Sequence, residues 1–170
     1  MTSTNSTNSP LKIVGSTEYI EVAGIKNIPT KIDTGADTSA IWASQIDMAP
    51  DGVLSFTLFN EESPFYTGER LDTTDYTIKM VRSSHGDTQI RYRVKLPVVL
   101  NGESFSTTFT LANRSRNNFP VLIGRHTLEN RFLVDVSRIV IKHKPRNVLH
   151  LNQELKDNPY QFHQKYLKKS

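Results

Sequence analysis

The chain contains no cysteine. That excludes disulfides, thiolate zinc sites and a cysteine nucleophile. No apolar run approaches the ~20 residues of a helical membrane span. Residues 1–10 are rich in Thr, Ser and Asn, with no basic start and no apolar centre. They are expected to form a disordered tail, not a secretory signal. A cytoplasmic protein without a membrane partner is therefore the expectation. No Gly-x-x-x-x-Gly-Lys-Ser/Thr stretch is present, so ATP binding lacks its usual sign. None of His85, His126, His143, His150 and His163 belongs to a His-Glu-x-x-His unit. His126-x-x-Glu129 alone is an ordinary helix-surface spacing. No metal and no cofactor are expected. Acidic residues are the scarcer charge: 21 Lys and Arg stand against 17 Asp and Glu, for a net charge of +4. A basic chain favours acidic peptides or nucleic acid, or simply carries a solvated basic surface. Much of this charge lies in the C-terminal tail.

What is present fits one domain with its own core. The chain has 170 residues, 36% of them hydrophobic, and a mean hydropathy of −0.44. Short strand-like runs separated by turn residues predict a mainly β fold. Residues 12–25 form a first hairpin leading into an extended run, Ile28 to Ile32. Strands are expected over 38–44, 56–59 and 76–82, with a turn at 60–64 and a loop at 68–74. Ile90, Tyr92, Val94 and Leu96 alternate with Arg91, Arg93 and Lys95, as on a strand with one buried face. Pro97 suggests a strand end or an edge position. Asn101-Gly102 is a strong hairpin signal, and Phe105, Thr107, Phe109 and Leu111 alternate after it. Val121-Leu122-Ile123 reads as a buried strand, residues 125–130 as a short helix, and Phe132 to Val136 as a strand extended by 139–141. The domain is expected over 11–145, followed by a basic tail over 146–170 with an amphipathic helix broken at Pro159.

The stretch that bears chemistry is Asp33-Thr34-Gly35-Ala36-Asp37-Thr38-Ser39. It sets a carboxylate on a tight turn between two strand-like pieces, and Gly35 permits close backbone approach. Taken alone, Asp-Thr-Gly is more often an ordinary turn in which the carboxylate caps backbone N–H groups. Far downstream stands Pro120-Val121-Leu122-Ile123-Gly124-Arg125, then Leu128. With both motifs in this order, the chain resembles the retroviral-type aspartic proteases. More narrowly, it resembles a bacterial retropepsin-like family labelled ATP-dependent zinc protease. That family includes the protease partner of a ribosomal-protein glutamate ligase. The resemblance covers roughly residues 11–145, with Asn113-Arg114-Ser115 and Phe132-Leu133-Val134-Asp135 adding to it.

The resemblance implies an all-β acid-protease barrel with one short helix. Asp33 would be catalytic, with Thr34 and Gly35 fixing its loop, and Asp37 and Arg125 would pair as structural support. An aspartic peptidase needs two carboxylates sharing one proton. This chain has one suitable loop, so the resemblance implies a homodimer with Asp33 from each copy at the two-fold axis. The hairpin holding Arg82, Ser83, Ser84, His85 and Gly86 would be the flap, here less glycine-rich and more basic than in retroviral proteases. Arg82, Ser83, Arg91, Arg93 and Arg114 are candidate substrate-binding residues, because guanidinium forks match carboxylates. A solvated strand face explains the same arginines equally well. The expected substrate is an acidic peptide, and the resemblance narrows it to a glutamate-extended tail made by a ligase pathway. One competing reading is a non-catalytic acidic-peptide module on the same fold. Nucleic-acid binding ranks last, since no reader motif is visible.

Overall fold

A computed structural model describes residues 10–82, 88–142 and 148–168. The elements in order are β1 (Lys12–Val14), β2 (Thr17–Val22), β3 (Ile25–Ile32), β4 (Ser39–Met48), β5 (Leu54–Leu58), β6 (Arg70–Thr73), β7 (Tyr76–Arg82), β8 (Thr88–Leu100), β9 (Glu103–Ala112), β10 (Val121–Ile123), α1 (Arg125–Leu128), β11 (Phe132–Val134), α2 (Leu149–Asp157) and α3 (Pro159–Tyr166). The tip between β7 and β8, which carries Ser83, Ser84, His85 and Gly86, lies outside the described residues. No described helix is long and apolar enough to cross a membrane.

The short strand β10 closes the barrel. It runs parallel to β3, with Val121 opposite Thr30 and Ile123 opposite Ile32. It also runs antiparallel to β4, with Val121 opposite Ile41. The path β10-β3-β2-β8-β9-β4 therefore returns to β10 as a six-strand mixed ring. Closure removes sheet edges that would otherwise expose unpaired backbone. The inward rows of these strands form the core, including Ile20, Val22, Ile28, Ile41, Val94, Val98, Phe109, Leu111, Val121 and Ile123. The fold is thus the expected mainly β barrel, with a short helix after β10.

β8 shows how sequence chemistry sets the strand. Of the alternating row expected to be buried, Val94 and Leu96 are, and Val98 and Leu100 continue it, whereas Tyr92 is only half-buried and Ile90 is exposed because β8 there leaves the barrel to pair with β7. Asn101 and Gly102 both adopt positive φ, 49° and 73°, as a two-residue hairpin turn into β9 requires. Pro97 does not end the strand. Its carbonyl accepts from Ala23 N at 3.0 Å, so its nitrogen faces the same flank. There β7 has stopped pairing at Val94 and β2 begins at Val98. A residue without an N–H sits in that gap without loss.

Other expectations are revised. Residues 70–73 form the strand β6 on the outside of β5, where a loop was expected. No residue of β6 is fully buried, so no apolar alternation marks it. β11 stops at Val134, and residues 139–141 continue it only as an isolated bridge between Thr17 and Ile139. β11 pairs in parallel with β1. In the tail, Asn158 caps α3 by accepting from Gln161 N at 3.0 Å, and Pro159 stands in its first turn. Pro is tolerated there because that N–H has no helical partner. Glu154 joins the two helices by bonding Lys165 at 2.5 Å and Tyr166 Oη at 2.9 Å. Neither tail helix has a fully buried residue.

Candidate active site

The Asp33 loop continues an alternation begun in β3. Ile28, Thr30 and Ile32 point into the core, whereas Lys31 is exposed and Asp33 partly so. Asp33 N donates to Ile123 O at 2.8 Å, which fastens the loop to β10. Ala36 N then donates to Asp33 O at 3.2 Å and closes the turn. Gly35 N donates to Asp33 Oδ1 at 3.1 Å. Lys31 Nζ lies 3.1 Å from Oδ2, so both oxygens of the carboxylate have a partner. The Asp33 side chain keeps 25% of its surface exposed.

The far half of the loop rests on β10 and α1. Arg125 N donates to Ala36 O at 2.8 Å, and His126 N donates to Asp37 O at 3.1 Å. Gly124 N donates to Ser39 Oγ at 3.1 Å. Ser39 Oγ is 2.7 Å from Thr127 Oγ1, which is 2.8 Å from Thr107 Oγ1. Ser39 and Thr127 are buried, so this hydroxyl chain supplies partners that water would otherwise give. A Cβ on Gly124 would lie 2.6 Å from Thr38 C and 2.8 Å from Ala36 O. Only glycine lets β10 approach the loop so closely. Sequence reasoning missed these hydroxyls. The available signal was Ser39, a polar residue in the same strand phase as Ile41 and Ala43.

Asp37 Oδ1 accepts a hydrogen bond from Arg125 Nη2. The two side chains are 55% and 59% exposed, so this is a surface pair and not a buried one. Screening by water limits its contribution to about 1 kcal/mol or less.

The candidate substrate-binding arginines are divided among three recesses. Arg114, in the loop after β9, lines one of about 540 Å³ together with Lys31, Thr17, Asn118, Phe119 and Leu122. Its Nε donates to Phe119 O at 3.1 Å. Burial, and then the neighbouring Arg91, push the Arg114 pKa below the usual guanidinium range, while the Asp33 carboxylate opposes them. Arg91 lines a second recess of about 710 Å³ with Ile46, Ile90, Tyr92, Asn113 and Arg116. Its Nη2 donates to Gln89 Oε1 at 2.9 Å. Arg93 lines a third recess beside Thr38, with Lys95, His126 and Arg131. Arg93 Nε is buried without a hydrogen-bond partner among the described residues. Arg82 closes β7, and Ser83 lies outside the described residues. Lys79, not singled out from sequence, donates to Thr38 Oγ1 at 2.8 Å and ties the β7–β8 arm to the Asp33 loop.

That arm carries an unusual surface. Ile78 pairs with Tyr92 and Met80 with Ile90, yet Ile78, Met80 and Ile90 are 56%, 68% and 68% exposed. Contiguous exposed apolar residues of this kind are a feature of interaction surfaces. A second apolar area lies beside Thr34, where Leu128, Phe132, Leu133 and Val134 line a further recess.

The described residues form no zinc site. Among the described residues no three His, Cys, Asp or Glu side chains gather as a metal requires. His126 Nδ1 and Glu129 approach only to 4.0 Å, on the exposed face of α1.

Comparison with known proteins agrees with this geometry. Residues 13–145 match the family model for the retropepsin-like aspartic endopeptidase RimB. A probable alpha-L-glutamate ligase of Desulfotalea psychrophila is 30% identical over 129 residues, which are 73% of this chain and 28% of that protein. One from Shewanella pealeana is 28% identical over 130 residues, 74% of this chain and 28% of its own length. The chain thus spans little more than a quarter of these curated relatives. Among solved structures, the Legionella pneumophila protein Lpg0085, of unknown function (DUF785), aligns with a TM-score of 0.58 at 23% identity. That alignment covers 75% of this chain and 95% of that one, and it supports the fold. With its Asp33 loop seated on β10 and Gly124 inside a closed six-strand barrel, the chain belongs to the RimB-like family of retropepsin-like aspartic endopeptidases.

Proposed function

We propose that the chain is an aspartic peptidase whose dyad is formed by Asp33 of two copies, and that its substrates are acidic peptides. The observation that carries this reading is the Asp33 loop, pinned at both ends by backbone bonds and open to solvent at its carboxylate. Two carboxylates brought together cannot both ionise easily, so they share one proton. The ionised member takes a proton from water as that water's oxygen attacks the peptide carbonyl carbon. The protonated member donates to the carbonyl oxygen. Proton return to the departing amine then breaks the C–N bond. Leu133, exposed in the recess beside Thr34, supplies part of a surface for the second copy. Leu11, Ile13 and Leu133 on and beside the β1–β11 pair are 42%, 46% and 55% exposed. The β7–β8 arm, with its apolar row, suits a flap over a bound peptide. Thr34 and Gly35 would hold the dyad's shape.

Acidic selectivity rests on the cations beside Asp33, namely Lys31 and Arg114, with Arg91 adding positive charge next to Arg114. It also agrees with the relatives named as glutamate ligases. A ligase that adds glutamate and a peptidase that removes it belong together chemically, so a glutamate-extended tail is the proposed natural substrate. A second reading has one specific observation in its favour. Lys31 occupies Asp33 in the single chain, as it would in a module that binds acidic peptides without cutting them. Incubating the protein with a glutamate-rich peptide and following fragments by mass spectrometry separates the two. The peptidase yields fragments, and Asp33→Asn abolishes them while leaving peptide binding in place. Binding without fragments from either protein favours the module, and fragments from Asp33→Asn as fast as from wild type would remove the dyad.

A further inference from the structure

We infer that the recess between Lys31 and Arg114 is a carboxylate-binding subsite for the substrate residue beside the scissile bond, and that Lys31 moves to it from Asp33 once the dyad assembles. This inference rests on the peptidase reading.

The placement follows from strand geometry. Residues two apart on a strand share a face, so Lys31 is carried to the same side as Asp33. Its Nζ is 3.1 Å from Asp33 Oδ2, and its side chain is 51% exposed, which leaves the flexible stem free to swing. The recess it lines also holds Arg114. Arg114 is fixed differently. Its Nε is committed to Phe119 O, and no other hydrogen bond of its guanidinium to a described residue is seen, so its remaining donors are available to a ligand. It is half-buried and repelled by Arg91, with Asp33 as its stabilising anion. A partly desolvated cation with an incomplete counter-charge gains when a carboxylate arrives.

Charge counting across two copies leads to the same place. Each copy brings one Lys31, one Arg114 and one Asp33. A dyad that shares one proton carries a single negative charge. Four cations then face one net negative charge, and the two Lys31 side chains compete for it. At least one lysine is left without its ion-pair partner, with the half-buried Arg114 in the same recess. An acidic side chain on the substrate is the group that completes such a site. A neutral isostere leaves the cations unpaired, which is the asymmetry that makes polar sites selective. Lys31 thus has two successive partners: Asp33 in the single chain, and a substrate carboxylate in the assembled enzyme.

The test uses the full chain and two peptides that differ only by Glu or Gln at the residue flanking the scissile bond. Wild type is expected to favour Glu over Gln in kcat/KM by about tenfold or more, the effect of one charged hydrogen bond. Lys31→Met should bring that ratio close to one, Lys31→Arg should preserve it, and Lys31→Glu should turn preference toward a peptide with Lys at that position. Equal losses for both peptides in Lys31→Met, with the ratio intact, would mean that Lys31 acts only on Asp33 and would overturn the subsite. Arg114→Gln provides a second variant should Lys31→Met melt early, and it should lower the same ratio. Calorimetric binding to Asp33→Asn decides the matter independently of catalysis. That variant frees Lys31, so it should bind the Glu peptide more tightly than wild type does and the Gln peptide equally. Unchanged Glu affinity there overturns the inference. Absence of hydrolysis by wild type with this binding pattern retained would remove the peptidase reading and leave the subsite standing.

Discussion

The two sides of the Asp33 loop are held by different forces. On the inner side, Gly124, Ser39, Thr127 and the half-buried Thr107 form a chain of one backbone N–H and three hydroxyls. On the outer side, Lys31 meets Asp33, and Arg125 meets Asp37; Asp33 is partly covered and the other three side chains are more than half open to water. Buried hydrogen bonds are costly to leave unmade, whereas exposed ion pairs are screened and contribute little. The inner side therefore sets the loop's shape. The outer side leaves its charges open to exchange partners, as the proposed subsite requires.

Three substitutions probe that contrast. The largest effect is expected for Gly124→Ala. Its Cβ would press on backbone atoms of Thr38 and Ala36, at 2.6 to 2.8 Å, and backbone cannot rotate away. A loss of about 3 kcal/mol in a denaturant titration is expected, near the upper range for overpacking. A loss below about 1 kcal/mol would show that the loop yields more easily than its bonding suggests. Next come Thr127→Val and Arg125→Ala, set side by side. Valine keeps the shape of Thr127 but strands the hydroxyls of Ser39 and Thr107, for an expected loss of about 1–3 kcal/mol. Arg125→Ala removes a half-exposed pair and should lose under about 1 kcal/mol, with further decline in the effect at high salt. The reverse order of those two losses would invert the assignment of shape to the inner side and charge to the outer.

The division explains what sequence could and could not reveal. The Asp33 and Val121–Arg125 motifs were legible because each is short and its turn chemistry is local. The inner half of the β8 alternation, at Val94 and Leu96, and the Asn101-Gly102 hairpin were legible for the same reason. The hydroxyl chain was not, because Ser39 and Thr127 meet across 88 residues and each alone reads as an ordinary polar side chain. The identity of the Asp37–Arg125 pair was readable, but its depth was not, since exposure depends on what the rest of the barrel covers. Arg91, Arg93 and Arg114 looked like one basic group. In the fold they line separate recesses, with Arg91 and Arg93 on β8 and Arg114 on the loop after β9. Lys31 was within reach, two residues before Asp33 on a strand, but a lysine at an exposed strand position reads first as solvation.

The most direct measurement of the shared dyad is a mixing experiment. Wild-type and Asp33→Asn chains are combined at constant total concentration, allowed to exchange, and assayed on a glutamate-rich peptide. A site built from one Asp33 of each copy is silent in every mixed pair, so activity should follow the square of the wild-type fraction, about one quarter at equal proportions. Activity falling in direct proportion, to about one half, would mean that each chain cuts alone and would contradict a dyad made by two copies.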